Sequence, residues 1–399
     1  MKKFSAIAAA VVAAIGPCVA HAQSSLTLYG LVDVGVAYQS SSGSLGQTSG
    51  GHSAVTMVNG VRGATVFGMK GVEDIGGGTK VLFRLEQGFN ASNGAETTPG
   101  LAFKRQANMG VTNDNYGTLT LGRGFSPYVI LLSPWSPTHW LTGFFGAHPG
   151  DIDMLDLNYV NNQIMYISPT IHGFTFGGSY ALGGQPGSIN SGSTYSLDAQ
   201  YNAGRGGLAV GFLRINNSAS GGGAWGPYTS LSNNGAEPSI SALTNGFQYA
   251  QAQQRIALTG GWQVTDSFDV SGSLSNTQYI PGINSHFSTE EVFNSAGVVA
   301  HWMFGPAWSF ATGYSFVHAS QANGSEGANY HEVTTQLYYS LSKATGVYAL
   351  AAWTHASGQT LSATGTVIRA TPTIGDGFNG TPGTGTNVFA AGVGILHRF

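Results

Sequence analysis

Trp308-Ser309-Phe310-Ala311-Thr312-Gly313-Tyr314-Ser315-Phe316 is the stretch whose reading decides the fold. One face carries Trp308, Phe310, Thr312, Tyr314 and Phe316, and the other carries Ser309, Ala311, Gly313 and Ser315. A period of two is the signature of a β-strand, whose successive side chains point to opposite sides. Large rings on one side and small, mostly polar residues on the other suit a wall between hydrocarbon and water. The pattern recurs in Phe174–Leu182, with Phe174, Phe176, Tyr180 and Leu182 set against Thr175, Gly177 and Ser179. It recurs again from Val333, with Thr335, Leu337, Tyr339 and Leu341 set against Thr334, Gln336, Tyr338 and Ser340.

Composition says which wall this is. Charged residues make up 8% of the chain, about a third of the ~25% typical of soluble globular proteins. Glycine is abundant at 60 residues, and aromatics reach 11%. No window after Gln23 approaches the ~18 apolar residues of a membrane-crossing helix. Because lipid offers no hydrogen-bond partners, an all-β chain crosses a membrane only as a closed barrel without free edges. The predicted fold is therefore an all-β, antiparallel transmembrane barrel.

At the amino terminus, Lys2 and Lys3 precede an apolar run from Phe4 to Ile15, and Ala20-His21-Ala22 offers small residues for cleavage. This pattern predicts a secretory signal peptide over residues 1–22 and one barrel domain over 23–399. Pro17 before Cys18 spoils a lipoprotein cleavage box, so the chain's one cysteine is expected to leave with the leader. That excludes disulfides, thiolate metal sites and a cysteine nucleophile from the mature protein.

Connections alternate short and long. Short turns are read near 74–78, 113–116, 169–173, 203–206, 264–266, 305–306 and 342–345, and long loops near 40–53, 124–157, 183–193, 216–246, 281–289, 320–329 and 357–386. This pattern gives about sixteen strands, an even number, with one barrel end carrying the turns and the other the loops. The loop from Gly124 to Leu157 stands apart, since it holds Tyr128, Trp135, His139, Trp140, Phe144, Phe145 and His148. So many rings do not suit a loop waving in solvent, and the place available to bury them is the barrel interior, where the loop would narrow the lumen.

Short motifs in a fixed order complete the reading: Leu26-Thr27-Leu28-Tyr29-Gly30 with Asp33, Gly71-Val72-Glu73-Asp74-Ile75-Gly76-Gly77-Gly78, and Gly117-Thr118-Leu119-Thr120-Leu121-Gly122-Arg123. Asn161-Asn162 with Tyr166, Ser168 and Pro169 follows, then Gly173-Phe174, and the chain closes on His397-Arg398-Phe399. In these motifs the chain resembles the trimeric general diffusion porins of Gram-negative bacteria, most closely the β-proteobacterial branch, nearly end to end. The resemblance implies a water-filled channel in the cell outer membrane passing small hydrophilic solutes and ions, a homotrimer embedded in outer-membrane lipid, and an inward-folded third extracellular loop. It also implies that Phe399, sharing a face with Val393 and Ile395, is the signal read by the barrel-assembly machinery; the plainer reading is an edge aromatic closing the last strand. No cofactor, metal or nucleic-acid partner is expected.

In the porins, acidic residues on the third loop face a ladder of arginines on the wall, and the field between them orients solutes. Here the loop offers Asp151, Asp153 and Asp156, and the wall offers Arg62, Arg84, Arg105 and Arg123. Arg105 falls on a family arginine, whereas Val66 and Tyr159 stand where two others are expected. Arg62 is read on the strand face of Val66, one step higher. Arg84 shares a face with Glu86, opposite Val81, Phe83 and Leu85. Arg105 is ambiguous by alternation, since Lys104, Gln106 and Asn108 form the more polar face, and the family match turns it inward. For each arginine a wall salt bridge with Glu86 or another carboxylate is the alternative to a lumen charge. Lys70 and Lys80 are read as periplasmic-mouth charges. Four arginines against three aspartates imply a nearly balanced constriction and weak selectivity, leaning to anions only if Arg62 and Arg84 both point inward.

Two other classes are weighed. A barrel enzyme finds no support: no G-x-S-x-G nucleophile elbow is present, and His331-Glu332 begins a zinc-protease motif that fails where Thr335 replaces the second histidine. A substrate-specific channel for sugars or small organic acids would use stacked rings, with Trp135, Trp140 and Tyr159 the residues to suspect; such rings more often anchor a loop to the wall.

Overall fold

The computed structural model describes residues 25–141, 148–155, 158–231, 240–374 and 382–399. The proposed leader and Asp156 lie outside them. Strands β1 (Ser25–Ser42), β2 (His52–Asn59), β3 (Val66–Gly76), β4 (Thr79–Gly88), β5 (Gln106–Asn113) and β6 (Gly117–Phe125) open the wall. It continues through β7 (Tyr159–Ile167), β8 (Phe174–Ala181), β9 (Thr194–Asn202), β10 (Gly206–Asn216), β11 (Ala252–Thr265) and β12 (Phe268–Ile280). Next come β13 (Glu291–Phe304), β14 (Trp308–Ala319), β15 (Ala328–Ser340) and β16 (Thr345–Leu361), then a short β17 (Val367–Arg369) and β18 (Asn387–Arg398).

Every pairing is antiparallel and between neighbours, and β1 pairs with β18, so the sheet closes on itself. Strands β2 and β3 both pair with β1 and form one wall strand interrupted at 60–65, while β17 is a loop hairpin on β16. The wall thus has sixteen strands among the described residues, as the alternation predicted. The last residue seals the seam: Gly30 and Phe399 exchange both backbone hydrogen bonds, at 3.0 and 3.1 Å.

The alternation holds along β9 and β10. Leu197 is 74% and Leu208 56% exposed on the outer face, while Thr194, Ser196 and Asp198 on the other face of β9 are buried. Such exposure of leucine is what lipid contact requires. Near the short turns, Tyr201, Trp262, Trp302 and Trp308 are exposed rings of an aromatic girdle, with Tyr339 packed on Trp308. No helix among the described residues is long and apolar enough to cross a membrane.

The turns and loops fall as read, with one addition. Residues 89–105, between β4 and β5, form a further long loop. Asn90, Ser92, Asn93, Gly94, Thr97, Thr98, Pro99 and Gly100 are its turn formers, the composition that marks a loop. This makes the loop carrying Ser126–Asn158 the third at its end of the barrel.

The strand break at 60–65 has a defined cause. Asp33 of β1 turns its carboxylate into it, Oδ2 accepting the N–H groups of Arg62 and Gly63 at 2.7 Å each and Oδ1 accepting the Tyr348 hydroxyl at 2.5 Å. The carboxylate replaces the ladder bonds the break forfeits. Arg62 therefore stands in an irregular segment and not on the strand face of Val66, which corrects the sequence reading.

Candidate functional site: a basic lumen wall beneath the inward loop

The third loop enters the barrel at Ser126, whose backbone N–H and hydroxyl both donate to Asn158 Oδ1, at 3.2 and 2.8 Å, tying entry to exit. Pro127 then starts a helix, α1 (Pro127–Leu132); proline is preset for the first helical turn, where its missing N–H costs nothing. Tyr128, Leu131 and Leu132 of this helix are buried against the lumen side of β8 to β11.

The wall makes room for the loop with missing side chains. A Cβ at Gly211 would lie 2.9 Å from both Leu132 and Tyr128, and one at Gly297 would lie 2.8 Å from His148 Nε2. Hydrogen bonds fasten the backbone: Gln200 Nε2 donates to Leu131 O at 3.1 Å, Thr259 Oγ1 to Leu132 O at 2.9 Å, and Arg255 Nε to Ile152 O at 3.1 Å. Trp140 stacks on His301 at 3.4 Å between centroids and donates to Asp269 Oδ1 at 2.7 Å. Trp135 lies over Gly207. These are the contacts of anchors, as weighed against a sugar path.

The described loop aspartates, Asp151 and Asp153, do not face Arg84, Arg105 or Arg123. Asp151 and Asp153 are buried between loop and wall. Asp153 Oδ2 takes His148 Nδ1 at 2.6 Å and the Ser275 hydroxyl at 3.1 Å. Burial alone would raise the Asp153 pKa, but His148 outweighs it and holds the carboxyl below its ordinary value. For His148, burial opposes the charged ring, yet the Asp153 carboxylate, their hydrogen bond and the more distant Glu332 hold it above the usual histidine value.

The opposite wall is basic. Lys70 and Arg84 are register partners on β3 and β4, and Arg84 is in turn opposite Asn108 on β5. Arg105, just before β5, places Nε 2.6 Å from Glu86 Oε1 and donates through Nη1 to the Tyr159 hydroxyl at 2.5 Å. The hydroxyl of Tyr29 donates to the other Glu86 oxygen at 2.8 Å. Arg105 thus turns inward while also making the wall salt bridge that was its alternative.

Arg123 would face lipid by simple alternation with Leu119 and Leu121. Gly122, at a φ of +125° that L side chains rarely adopt, sits where the register with β7 shifts, and beyond it the guanidinium lies over Tyr159 and donates through Nε to Lys104 O at 2.5 Å and through Nη1 to Asn161 Oδ1. Tyr159 collects two arginines on its ring and hydroxyl.

Lys70, Arg84, Gln106, Asn108, Arg123 and Gln163 line one cavity of about 500 Å³, bordered by Ile130 of α1. Lys70 therefore belongs with the lumen wall and not with the periplasmic mouth; its place opposite Arg84 was the signal, but register is not written in one strand's sequence. The amides Gln106 and Asn108, the polar face beside Arg105, join it, as does Gln163 of β7, which the sequence did not mark. Among the described residues no salt bridge joins Lys70, Arg84 or Arg123 to a carboxylate, and Glu86 is the acid paired within this wall. Arg62 lies apart, its guanidinium 5.6 Å from the centroid of the Tyr338 ring. His331 and Glu332 point to opposite sides, His331 outward to Tyr314 and Glu332 inward to Thr354.

Residues 7–359 match the model of the Gram-negative porin family. An outer membrane porin protein of Bordetella pertussis is 34% identical over 194 residues, 46% of this chain and 48% of that protein. Outer membrane porin protein 32 of Delftia acidovorans is likewise 34% identical over 194 residues, 46% of this chain and 50% of that one. The match thus spans about half the length of each relative. Among solved structures, an anion-selective porin from Comamonas acidovorans superposes with a TM-score of 0.68 at 21% identity, covering 94% of this chain and all of that one. OmpT, an outer membrane protein of Vibrio cholerae, follows at 0.63 and 12% identity, covering 94% and 99%. These structures share the fold. A closed sixteen-strand wall, a third loop laid along its inner face and a family match over most of its length show that the chain belongs to the Gram-negative porins.

Proposed function

We propose that the mature chain is an outer-membrane channel for passive diffusion of small hydrophilic solutes and ions, with a preference for anions set by Lys70, Arg84, Arg105 and Arg123. The observation that carries the preference is the charge inventory beside the loop: among the described residues, Lys70, Arg84, Arg105 and Arg123 line or border that side of the lumen, and Glu86 forms a salt bridge with Arg105. A unit charge acts on an ion ~4 Å away with about 4 kcal/mol at an effective dielectric of ~20. Charges more than ~8 Å away are largely screened at physiological salt. The overall formal charge of −3 therefore matters less than this wall.

The third loop acts as the constriction in this reading. Asp153 serves as a fastener, and Tyr159 seats two arginines. Trp135 and Trp140 are spent on anchoring, which supports general diffusion over a sugar-specific path. The opposed faces of His331 and Glu332 give a barrel enzyme no metal pair to work with. The reading includes cleavage of residues 1–22, assembly as a homotrimer and delivery by the barrel-assembly machinery through Phe399. Swelling of liposomes containing the purified protein, in neutral sugars of increasing size, tests the channel: rates should fall smoothly with size. Absence of swelling in the smallest sugar, or hydrolysis of the solute, would overturn the reading.

A further inference from the structure

The outer wall carries a feature that conduction does not use. Toward the loop ends of β10 to β13, outward positions change from apolar to polar. Arg214, Gln254, Gln278, Asn276 and Asn294 occupy that face, with Arg214 opposite Gln254, Gln254 opposite Gln278, and Asn276 opposite Asn294. They form a one-way hydrogen-bond chain. Arg214 Nη1 donates to Gln254 Oε1 at 2.9 Å, Gln254 Nε2 donates to Gln278 Oε1, Gln278 Nε2 to Asn276 Oδ1 at 2.9 Å, and Asn276 Nδ2 to Asn294 Oδ1 at 2.8 Å.

The direction of the chain decides what the surface offers. Each amide oxygen already accepts one bond within the chain, and each amide nitrogen keeps at least one further N–H to offer outward. Arg214 spends Nε on Asn216 at 3.2 Å, and Nη2 has no protein partner among the described residues. No outward position on these four strands is acidic. A donor-rich, acid-free surface with a guanidinium at one end is complementary to a phosphate oxygen.

Directly below, on the same strands, the outer wall is hollowed. A groove of about 440 Å³ is lined by Leu258, Gly260, Gly272, Leu274, Ala296 and Val298, and a second of about 510 Å³ shares Gly260, Gly272 and Val298 and runs down to Trp262. Six residues separate Gln254 from Gly260, which is about 20 Å along a strand. Polar head and apolar trough therefore stand in the order and at the spacing of one lipid molecule lying upright against the wall.

We propose that this face binds a single anionic lipid, its phosphate-bearing headgroup held by Arg214 and the amide chain and one acyl chain laid along Gly260 and Gly272. The proposal rests only on the barrel spanning a membrane, which liposome swelling tests separately.

Native mass spectrometry of the purified full-length protein, titrated with phosphatidylglycerol or with phosphatidylcholine of the same acyl chains, is the test. The wild type should retain phosphatidylglycerol at about tenfold lower concentration, the scale of one hydrogen bond to a charged group. Arg214→Ala should abolish that preference, weakening phosphatidylglycerol about tenfold and phosphatidylcholine, whose own choline offsets its phosphate, by less, and Arg214→Lys should restore part of it. Gly272→Val, whose Cβ meets only the Gly297 carbonyl oxygen at 3.2 Å, should weaken both lipids by filling the trough. All variants should conduct as the wild type, because none touches the lumen. Equal retention of both lipids by the wild type, a preference indifferent to Arg214→Ala, or cross-links placing a second copy on this face would overturn the proposal.

Discussion

His148 and Asp153 form an ion pair buried between the third loop and the wall, Nδ1 to Oδ2 at 2.6 Å, and His148 Nε2 reaches the wall hydroxyl of Ser273 at 3.0 Å. One ring thus links a loop carboxylate to the barrel. Removing either partner leaves the other charged and unpaired in a dry setting, which typically costs about 3–5 kcal/mol. Asp153→Ala is expected to lower the thermal unfolding midpoint and to make single-channel current noisier. A quiet channel of wild-type stability would show that the pair does not hold the loop.

The same pair gives a pH profile. His148 is held above its ordinary value, so its contribution is complete below the unfolded histidine pKa of ~6.5 and is lost as pH rises through the higher folded value. Asp153 is held below its ordinary value, so its contribution is complete above ~3.9 and is lost as pH falls through the lower folded value. The loop should be best attached between about pH 4 and 6.5. Unfolding midpoints followed upward from that window should decline for the wild type and stay flatter for His148→Gln.

Glycines in the loop's bed are set by clearance. A Cβ at Gly211 would lie 2.3 Å from Asp198 Oδ1 as well as against Leu132 and Tyr128. Gly211→Val should therefore push α1 off the wall, destabilising by roughly 1–3 kcal/mol and changing conductance. Denaturant unfolding and bilayer recording together would detect it, and unchanged values in both would place the helix elsewhere.

Asp33 is the keystone of the strand break. Asp33→Ala strands two backbone N–H groups and the Tyr348 hydroxyl, each costing about 1–3 kcal/mol if left unpaired. Loss of the heat-modifiable folded band on electrophoresis is the expected outcome. Wild-type mobility and midpoint would mean the break closes without it.

The wall was legible in the sequence because strand alternation is local: Trp308 to Phe316 states its two faces without help from neighbours. The inward loop was legible for a related reason, since seven aromatic and histidine residues in one connection need a bed. What the sequence hid lies in relationships between strands. Lys70 meets Arg84 only through register, Arg123 turns inward only past the bulge at Gly122, and Arg62 leaves its strand only because Asp33 caps the break. Asp153 was hidden because a carboxylate on a loop reads the same whether it faces water or a buried histidine.

Selectivity is the central claim, and Glu86 is its hinge, paired to Arg105 at 2.6 Å beside Arg84 and Arg123. The most direct measurement is the zero-current potential across a planar bilayer holding a KCl gradient, for the wild type, Arg84→Ala, Arg123→Ala and Glu86→Gln. The account predicts an anion-selective wild type, weaker selectivity in both arginine variants and stronger selectivity in Glu86→Gln. A cation-selective wild type, or a potential that none of the three substitutions moves, would contradict it.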